Sequence, residues 1–169
     1  MLAGSPCKLS KWVEFKPMFF RGANNVTLDA KGRLAMPTRY RDGIVERSNG
    51  HLVATIDRAD PCLLIYPLPD WEEIERKLAK LPTLNPAARS LQRLMIGHAT
   101  ELELDSNGRV LIPPKLREYA GLNRDVMLIG QGARFELWDE ALWETHRAQW
   151  QQVDHSSEAL SEDLSNLSL

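Results

Sequence analysis

Cysteine is nearly absent: the 169 residues hold only Cys7 and Cys62. Cys7 lies in an irregular N-terminal stretch, so a disulfide scaffold is excluded and a reducing compartment is the default. No apolar run approaches the roughly 18 residues that a membrane helix needs. Neither a Gly-rich phosphate loop nor a Gly-x-Ser-x-Gly elbow occurs. His51, His98, His146 and His155 stand far apart, without metal-ligand spacing. The expectation is therefore no metal, no cofactor, no small-molecule substrate, no membrane and no catalysis. No charge sign dominates either, with 21 Lys and Arg against 23 Asp and Glu. What is present is an ordinary globular composition, 43% hydrophobic, enough to bury a sizeable core.

The even balance conceals a division. Residues 1–135 carry 20 basic against 15 acidic side chains, a net of +5; residues 136–169 carry Arg147 against eight acids, a net of −7. A mildly basic body thus precedes an acidic tail. Residues 1–17 show no steady period, and Lys8, Lys11, Glu14 and Lys16 interrupt every apolar run, so they do not read as a secretory signal. They are read as a flexible extension. Met18 opens the distinct phrase Met-Phe-Phe-Arg-Gly and is the expected native start; an ordinary flexible arm is the alternative.

The chain contains itself twice. Asp29-Ala-Lys-Gly-Arg-Leu-Ala-Met-Pro-Thr-Arg-Tyr-Arg41 aligns without gaps, at an offset of 76 residues, to Asp105-Ser-Asn-Gly-Arg-Val-Leu-Ile-Pro-Pro-Lys-Leu-Arg117. Asp29 and Asp105, Gly32 and Gly108, Arg33 and Arg109, Pro37 and Pro113, and Arg41 and Arg117 are identical, while Arg39 and Lys115 keep their charge. Each copy reads as a short strand (Asn25–Leu28, Glu101–Leu104), an Asp-x-x-Gly turn and a return strand (Arg33–Met36, Arg109–Ile112). Proline ends each return strand and suits entry to a helix, Thr38–Arg47 or Lys115–Ala120.

Further strands are expected at Leu52–Ile56, Leu63–Tyr66, Val126–Ile129 and Phe135–Trp138, with Gly130-Gln-Gly132 as a hairpin turn. Helices are expected at Asp70–Leu81, capped by Asp70, at Pro86–His98 and at Asp139–Val153. Residues 154–169, Ser- and acid-rich with Leu160, Leu164, Leu167 and Leu169, read as a weakly ordered acidic tail, helical when it meets a partner. One copy cannot bury both faces of its hairpins, whereas two copies about a pseudo-two-fold axis can. The fold class is thus α+β: β-rich, with repeats at 18–69 and 99–138, linking helices over 70–98 and a C-terminal helix over 139–153. Cys62 and most tryptophans, among them Trp71, Trp138 and Trp143, are expected in the core.

Asp-x-x-Gly-Arg-φ-x-φ-Pro-x-x-φ-Arg, with φ apolar or aromatic, resembles the swapped-hairpin AbrB/SpoVT-type DNA-binding domain. Two copies after Met-Phe-Phe-Arg-Gly, with Cys62-Leu-Leu-Ile-Tyr-Pro-Leu-Pro69 and Phe135-Glu-Leu-Trp-Asp139, resemble specifically the MraZ family. The resemblance spans Met18–Leu169. It implies a bacterial transcriptional regulator acting on the promoter of the cell-division and cell-wall gene cluster. It also implies a closed ring of protomers on tandem direct repeats of double-stranded DNA, in the cytoplasm and associated with the nucleoid.

Arg33 and Arg109 take the family's DNA-contact role, and Arg41 and Arg117 that of the arginine ending the single-repeat motif. The sequence departs from single-repeat proteins at Val26 and Leu102, where a basic residue is common, and at Asp42 and Glu118, which follow the final arginine.

The physics of the residues agrees with that role. A guanidinium at a hairpin tip offers a planar fork matched to phosphate or to guanine O6 and N7. Lys31, Arg39 and Lys115 are expected on phosphates, with Arg21 adding to the basic surface of copy one. Copy one is more basic, because Lys31 aligns with Asn107, and is expected to dominate. Asp29, Gly32, Pro37, Asp105, Gly108 and Pro113 are assigned to turn geometry. A bland reading stays open at both tips: Asp29 with Arg33, and Asp105 with Arg109, pair across the turn and merely fix it. A second function also stays open, a ring-forming interaction scaffold whose acidic tail binds a basic partner.

Overall fold

Burial alternates along Phe20–Thr27, the signature of a strand with one covered face. The computed structural model describes residues 19–153. The expected extension, the start at Met18 and the acidic tail lie outside the described residues. The first strand, β1 (Phe20–Thr27), is longer than the sequence pattern suggested. The reason is a partner far along the chain: β7 (Asp125–Gly132) pairs with it antiparallel at all eight positions, from Phe20 opposite Gly132 to Thr27 opposite Asp125. The Asp29 turn then leads to β2 (Arg33–Ala35), and Pro37 to α1 (Thr38–Ser48). After α1 come β3 (His51–Ile56), β4 (Leu63–Pro67), α2 (Leu68–Ala79) and α3 (Pro86–Met95). Copy two repeats the plan with β5 (Thr100–Glu103), β6 (Arg109–Leu111), α4 (Pro114–Tyr119), β7, β8 (Arg134–Asp139) and α5 (Glu140–Trp150).

The copies interleave. Six strands form one antiparallel sheet in the order β1-β7-β8-β4-β3-β5, so each copy's first strand lies on the other copy's third. The second strands leave the sheet and pair with each other as a separate two-stranded ribbon, Leu34 opposite its own repeat equivalent Val110. In the sheet, β4 meets β8 with Leu64 opposite Glu136. Both meetings sit on one pseudo-two-fold axis, which confirms the α+β, pseudo-symmetric expectation.

Both faces of the sheet are covered, so β3 from Leu52 onward and the whole of β4 are buried without alternation. On one face Leu52, Ile56, Ile65, Leu128, Phe135 and Leu137 pack against the ribbon, α1 and α4. On the other, Val53, Cys62, Leu64, Tyr66, Met127 and Trp138 pack against α2, α3 and α5. Trp71 and Trp138 are buried, and Trp143 and Trp150 half-buried against them. Cys62 is a fully buried free thiol whose pKa is pushed up by burial.

Four local expectations change. Gly130-Gln131 continues β7 rather than turning; Gln131 pairs with Arg134 and the reversal falls at Gly132-Ala133. A side chain at 130 would meet the backbone of Phe20 and Arg21, so glycine there admits β1. Asp70 is not a cap: α2 starts at Leu68, and Asp70 receives Arg47 at 2.6 and 3.0 Å. Asp139, placed inside the last helix by its sequence, ends β8 and caps α5 through the Ala141 amide at 3.2 Å. His98 lies past the end of α3 and is exposed.

Candidate nucleic-acid interface

The repeated sequence produces one turn twice. Asp29 Oδ1 accepts the amides of Lys31 and Arg33 at 2.9 and 2.8 Å, and the Gly32 amide returns to the Asp29 carbonyl at 2.9 Å. Asp105 Oδ1 accepts those of Asn107 and Arg109, both at 2.9 Å, and Gly108 closes on Asp105 at 3.0 Å. Gly32 and Gly108 lie at φ +83° and +74°, a region costly to any residue with a Cβ. These donors favour the carboxylate. The Arg33 amide, then its guanidinium, hold Asp29 down at a pKa of about 2, and the Arg109 amide lowers Asp105 in the same direction. Pro37 and Pro113 immediately precede α1 and α4, where a missing amide costs no helical bond.

The same carboxylates seize the arginines. Arg33 Nε donates to Asp29 Oδ2 at 2.6 Å, and Arg109 Nε to Asp105 Oδ2 at 3.2 Å. The pairing that the sequence left open is therefore made at both tips, through one nitrogen of each guanidinium. The terminal nitrogens of Arg33 and Arg109 make no hydrogen bond among the described residues, and each side chain is 32% exposed. A held Nε with open terminal nitrogens is an oriented fork, not a neutralised one.

The ribbon sets where these forks stand. Leu34 and Val110, directly opposed, are buried in the core. By strand alternation Arg33, Ala35, Arg109 and Leu111 occupy the opposite, outward face. Arg33 faces Leu111 and Arg109 faces Ala35, so the two arginines are diagonal neighbours, about 7–8 Å apart by ordinary sheet geometry. Leu111 is 52% exposed between them.

The remaining cations sort by position. Lys31 is exposed beside Arg33 on the first turn. Arg41 and Arg117 cross between the copies. Arg41 Nε donates to the Met36 carbonyl at 2.7 Å while its guanidinium lies over Gly108, the other copy's turn. Arg117 donates to the Ile112 carbonyl at 3.0 Å and lies over Gly32. Both are half-buried. Arg39 folds onto β1, bonded to Asn24 and to the Tyr40 hydroxyl at 2.8 Å, with its guanidinium 4.7 Å from the Tyr40 ring. Arg21 is exposed on β1 and Lys115 at the start of α4.

One residue escaped the sequence reading. Arg124 precedes β7, and its carbonyl accepts the Leu28 amide at 2.8 Å. It thereby lies beside the first turn, lining with Asp29, Arg117 and Asn123 an open groove of about 710 Å³. At the second turn the Leu104 amide meets the Gly50 carbonyl instead, so a glycine stands where Arg124 stands at the first. Nothing in the local sequence marks Arg124, because the β1–β7 pairing places it. Among the described residues no helix is long and apolar enough to cross a membrane.

Comparison with known proteins returns the family already suggested by the motif. The family described as "MraZ protein, putative antitoxin-like" matches twice, over residues 19–94 and 95–165. The transcriptional regulator MraZ of Halorhodospira halophila is 59% identical over 151 residues, which is 89% of this chain and 99% of that protein. That of Coxiella burnetii (strain Dugway 5J108-111) is 60% identical over 131 residues, 78% of this chain and 86% of that protein. The protein of the same name in Pseudomonas aeruginosa (strain LESB58) is 63% identical over 124 residues, 73% of this chain and 82% of that protein.

Proposed function

This chain belongs to the MraZ family of transcriptional regulators, not to a family of enzymes, and from that premise we propose that it grips double-stranded DNA with the β2–β6 ribbon. One observation carries the reading: two arginines sit on the outward face of a two-stranded ribbon, each oriented by its own turn aspartate and open at its terminal nitrogens. A B-DNA major groove is about 12 Å wide and admits such a ribbon. Arg33 and Arg109 supply forks for guanine edges, while Lys31 and Arg124 neutralise phosphates. Arg21 and Lys115 add positive field at the margins. Arg41 and Arg117 steady the turns from across the axis, and Arg39 stiffens β1. Copy one dominates, because Lys31 and Arg124 surround its tip where copy two has Asn107 and Gly50.

A unit with so few phosphate contacts binds weakly and is salt-sensitive. Assembly into a closed ring, presenting several ribbons to tandem direct repeats, raises affinity through effective concentration. The proposed target is the promoter of the cell-division and cell-wall gene cluster, which places the protein in the cytoplasm at the nucleoid.

The test is fluorescence anisotropy on a promoter fragment carrying the repeats, with a scrambled fragment as control. Each good bidentate contact discriminates by about 1–3 kcal/mol, so Arg33→Ala should lower specific affinity by about 10-fold or more while sedimentation stays unchanged and unfolding stays cooperative. Unchanged affinity for the repeats would reject the assignment.

A further inference from the structure

The two ends of the ribbon's outward face are not alike. The pseudo-two-fold axis passes between Leu34 and Val110 and exchanges Arg33 with Arg109 and Ala35 with Leu111. One arginine therefore has a leucine across from it, and the other an alanine. Leu111 is 52% exposed and belongs to neither apolar cluster of the core. It is nonetheless firmly aimed. Val110 and Ile112 on either side of it are buried, and the Ile112 amide donates to the Gly32 carbonyl at 3.0 Å, so the strand cannot rotate Leu111 inward. The leucine thus stands at the end of the ribbon where Arg33, Lys31 and Arg124 gather around the first turn.

We propose that Leu111 is a specificity-determining residue, which reads the C5-methyl group of a thymine flanking the guanine gripped by Arg33. The inference rests on the ribbon being the surface that enters the major groove. An isobutyl group can neither donate nor accept a hydrogen bond, and the thymine methyl is the apolar feature that the four unmodified base pairs display in that groove. Side chains directly opposed across a ribbon stand about 4.5–5.5 Å apart at Cβ. Successive bases along one strand are about 3.4 Å apart, so the nearest base step to the Arg33 guanine is its immediate neighbour. At the other end, Ala35 carries only a methyl and falls short of the bases that a leucine reaches. The ribbon consequently has a direction on the duplex, despite its pseudo-symmetry. A symmetric face would favour an inverted site, whereas a face with one apolar reader favours repeats that all point the same way.

The test removes the methyl from the DNA and the leucine from the protein. Each thymine of one repeat in the promoter fragment is replaced in turn by deoxyuridine, which pairs identically but lacks the methyl group. Anisotropy then compares the unaltered full chain with Leu111→Ala, which gives both ends of the ribbon the same small side chain. One position beside a guanine should lower the affinity of the unaltered chain about 4-fold, the effect of one buried methyl, and leave that of Leu111→Ala unchanged. The arm with the unaltered chain needs no variant to fold. Two results would overturn the proposal: no thymine sensitive to the exchange, or a sensitivity that persists in Leu111→Ala, since the methyl would then be read elsewhere. Arg33→Ala on the same fragments keeps the two failures apart. If it still weakens binding, the ribbon remains the DNA contact and only the role of Leu111 falls.

Discussion

Gly108→Ala probes the crossing of the two copies more sharply than any core substitution. Gly108 sits at φ +74°, and a Cβ built there would fall against the Nε, Cζ and Nη1 atoms of Arg41 from the other copy. Two separable costs follow. The left-handed conformation costs an alanine about 1–2 kcal/mol. Expelling Arg41 also breaks its 2.7 Å bond to the Met36 carbonyl. A bond to a charged donor is worth about 1.5–3 kcal/mol, and the half-exposed setting favours the lower end, ~1.5 kcal/mol.

The single variant should therefore lose about 3 kcal/mol. Arg41→Ala alone forfeits only the bond, about 1.5 kcal/mol. In the double variant the expelled group no longer exists, so only backbone strain is added and the total stays near 3 kcal/mol rather than rising to about 4.5. Urea unfolding of the four proteins measures a coupling of about 1.5 kcal/mol. Additivity within about 0.5 kcal/mol would refute the cross-brace. The symmetric pair Gly32→Ala and Arg117→Ala should give the same cycle.

The other expectations concern the ribbon, the turn and the core. Leu111→Glu places a carboxylate opposite Arg33 on the outward face, and should abolish specific binding by anisotropy without lowering the melting temperature. Phe135 packs against Phe20 at 4.1 Å and Tyr40 at 5.0 Å, tying β1 to the sheet, so Phe135→Ala should cost about 3–5 kcal/mol in urea unfolding. The Asp29 carboxyl should titrate near 2 by NMR, and that of Asp105 below the ordinary carboxylate range. Since the folded value of Asp29 lies under the unfolded one of about 3.9, its stabilisation is complete above pH 4 and lost as the pH falls toward 2. A midpoint at or above 4 would mean that the turn amides do not hold the carboxylate.

The turns were legible because their chemistry is local. An aspartate two residues before an amide it accepts, a glycine at positive φ and an arginine four residues on all lie within one pentapeptide. Strand and helix identity was legible for the same reason, with most ends displaced by one to three residues, from one in α1 and α4 to three at the ends of β7, α3 and α5. The start of β1 was not, because Phe20–Asn24 pairs with residues more than 100 positions away.

The 76-residue echo, the turn that holds each arginine and the α+β class follow from the order of residues alone, since short-range hydrogen bonds and periodicity write them. Tertiary structure alone decided that the arginines ending the motif reach over the opposite copy's glycine, that Arg124 flanks the first tip, and that Arg33 and Arg109 share one face. Each depends on strands exchanged between the halves, and no window of adjacent residues records a contact made across a pseudo-two-fold axis.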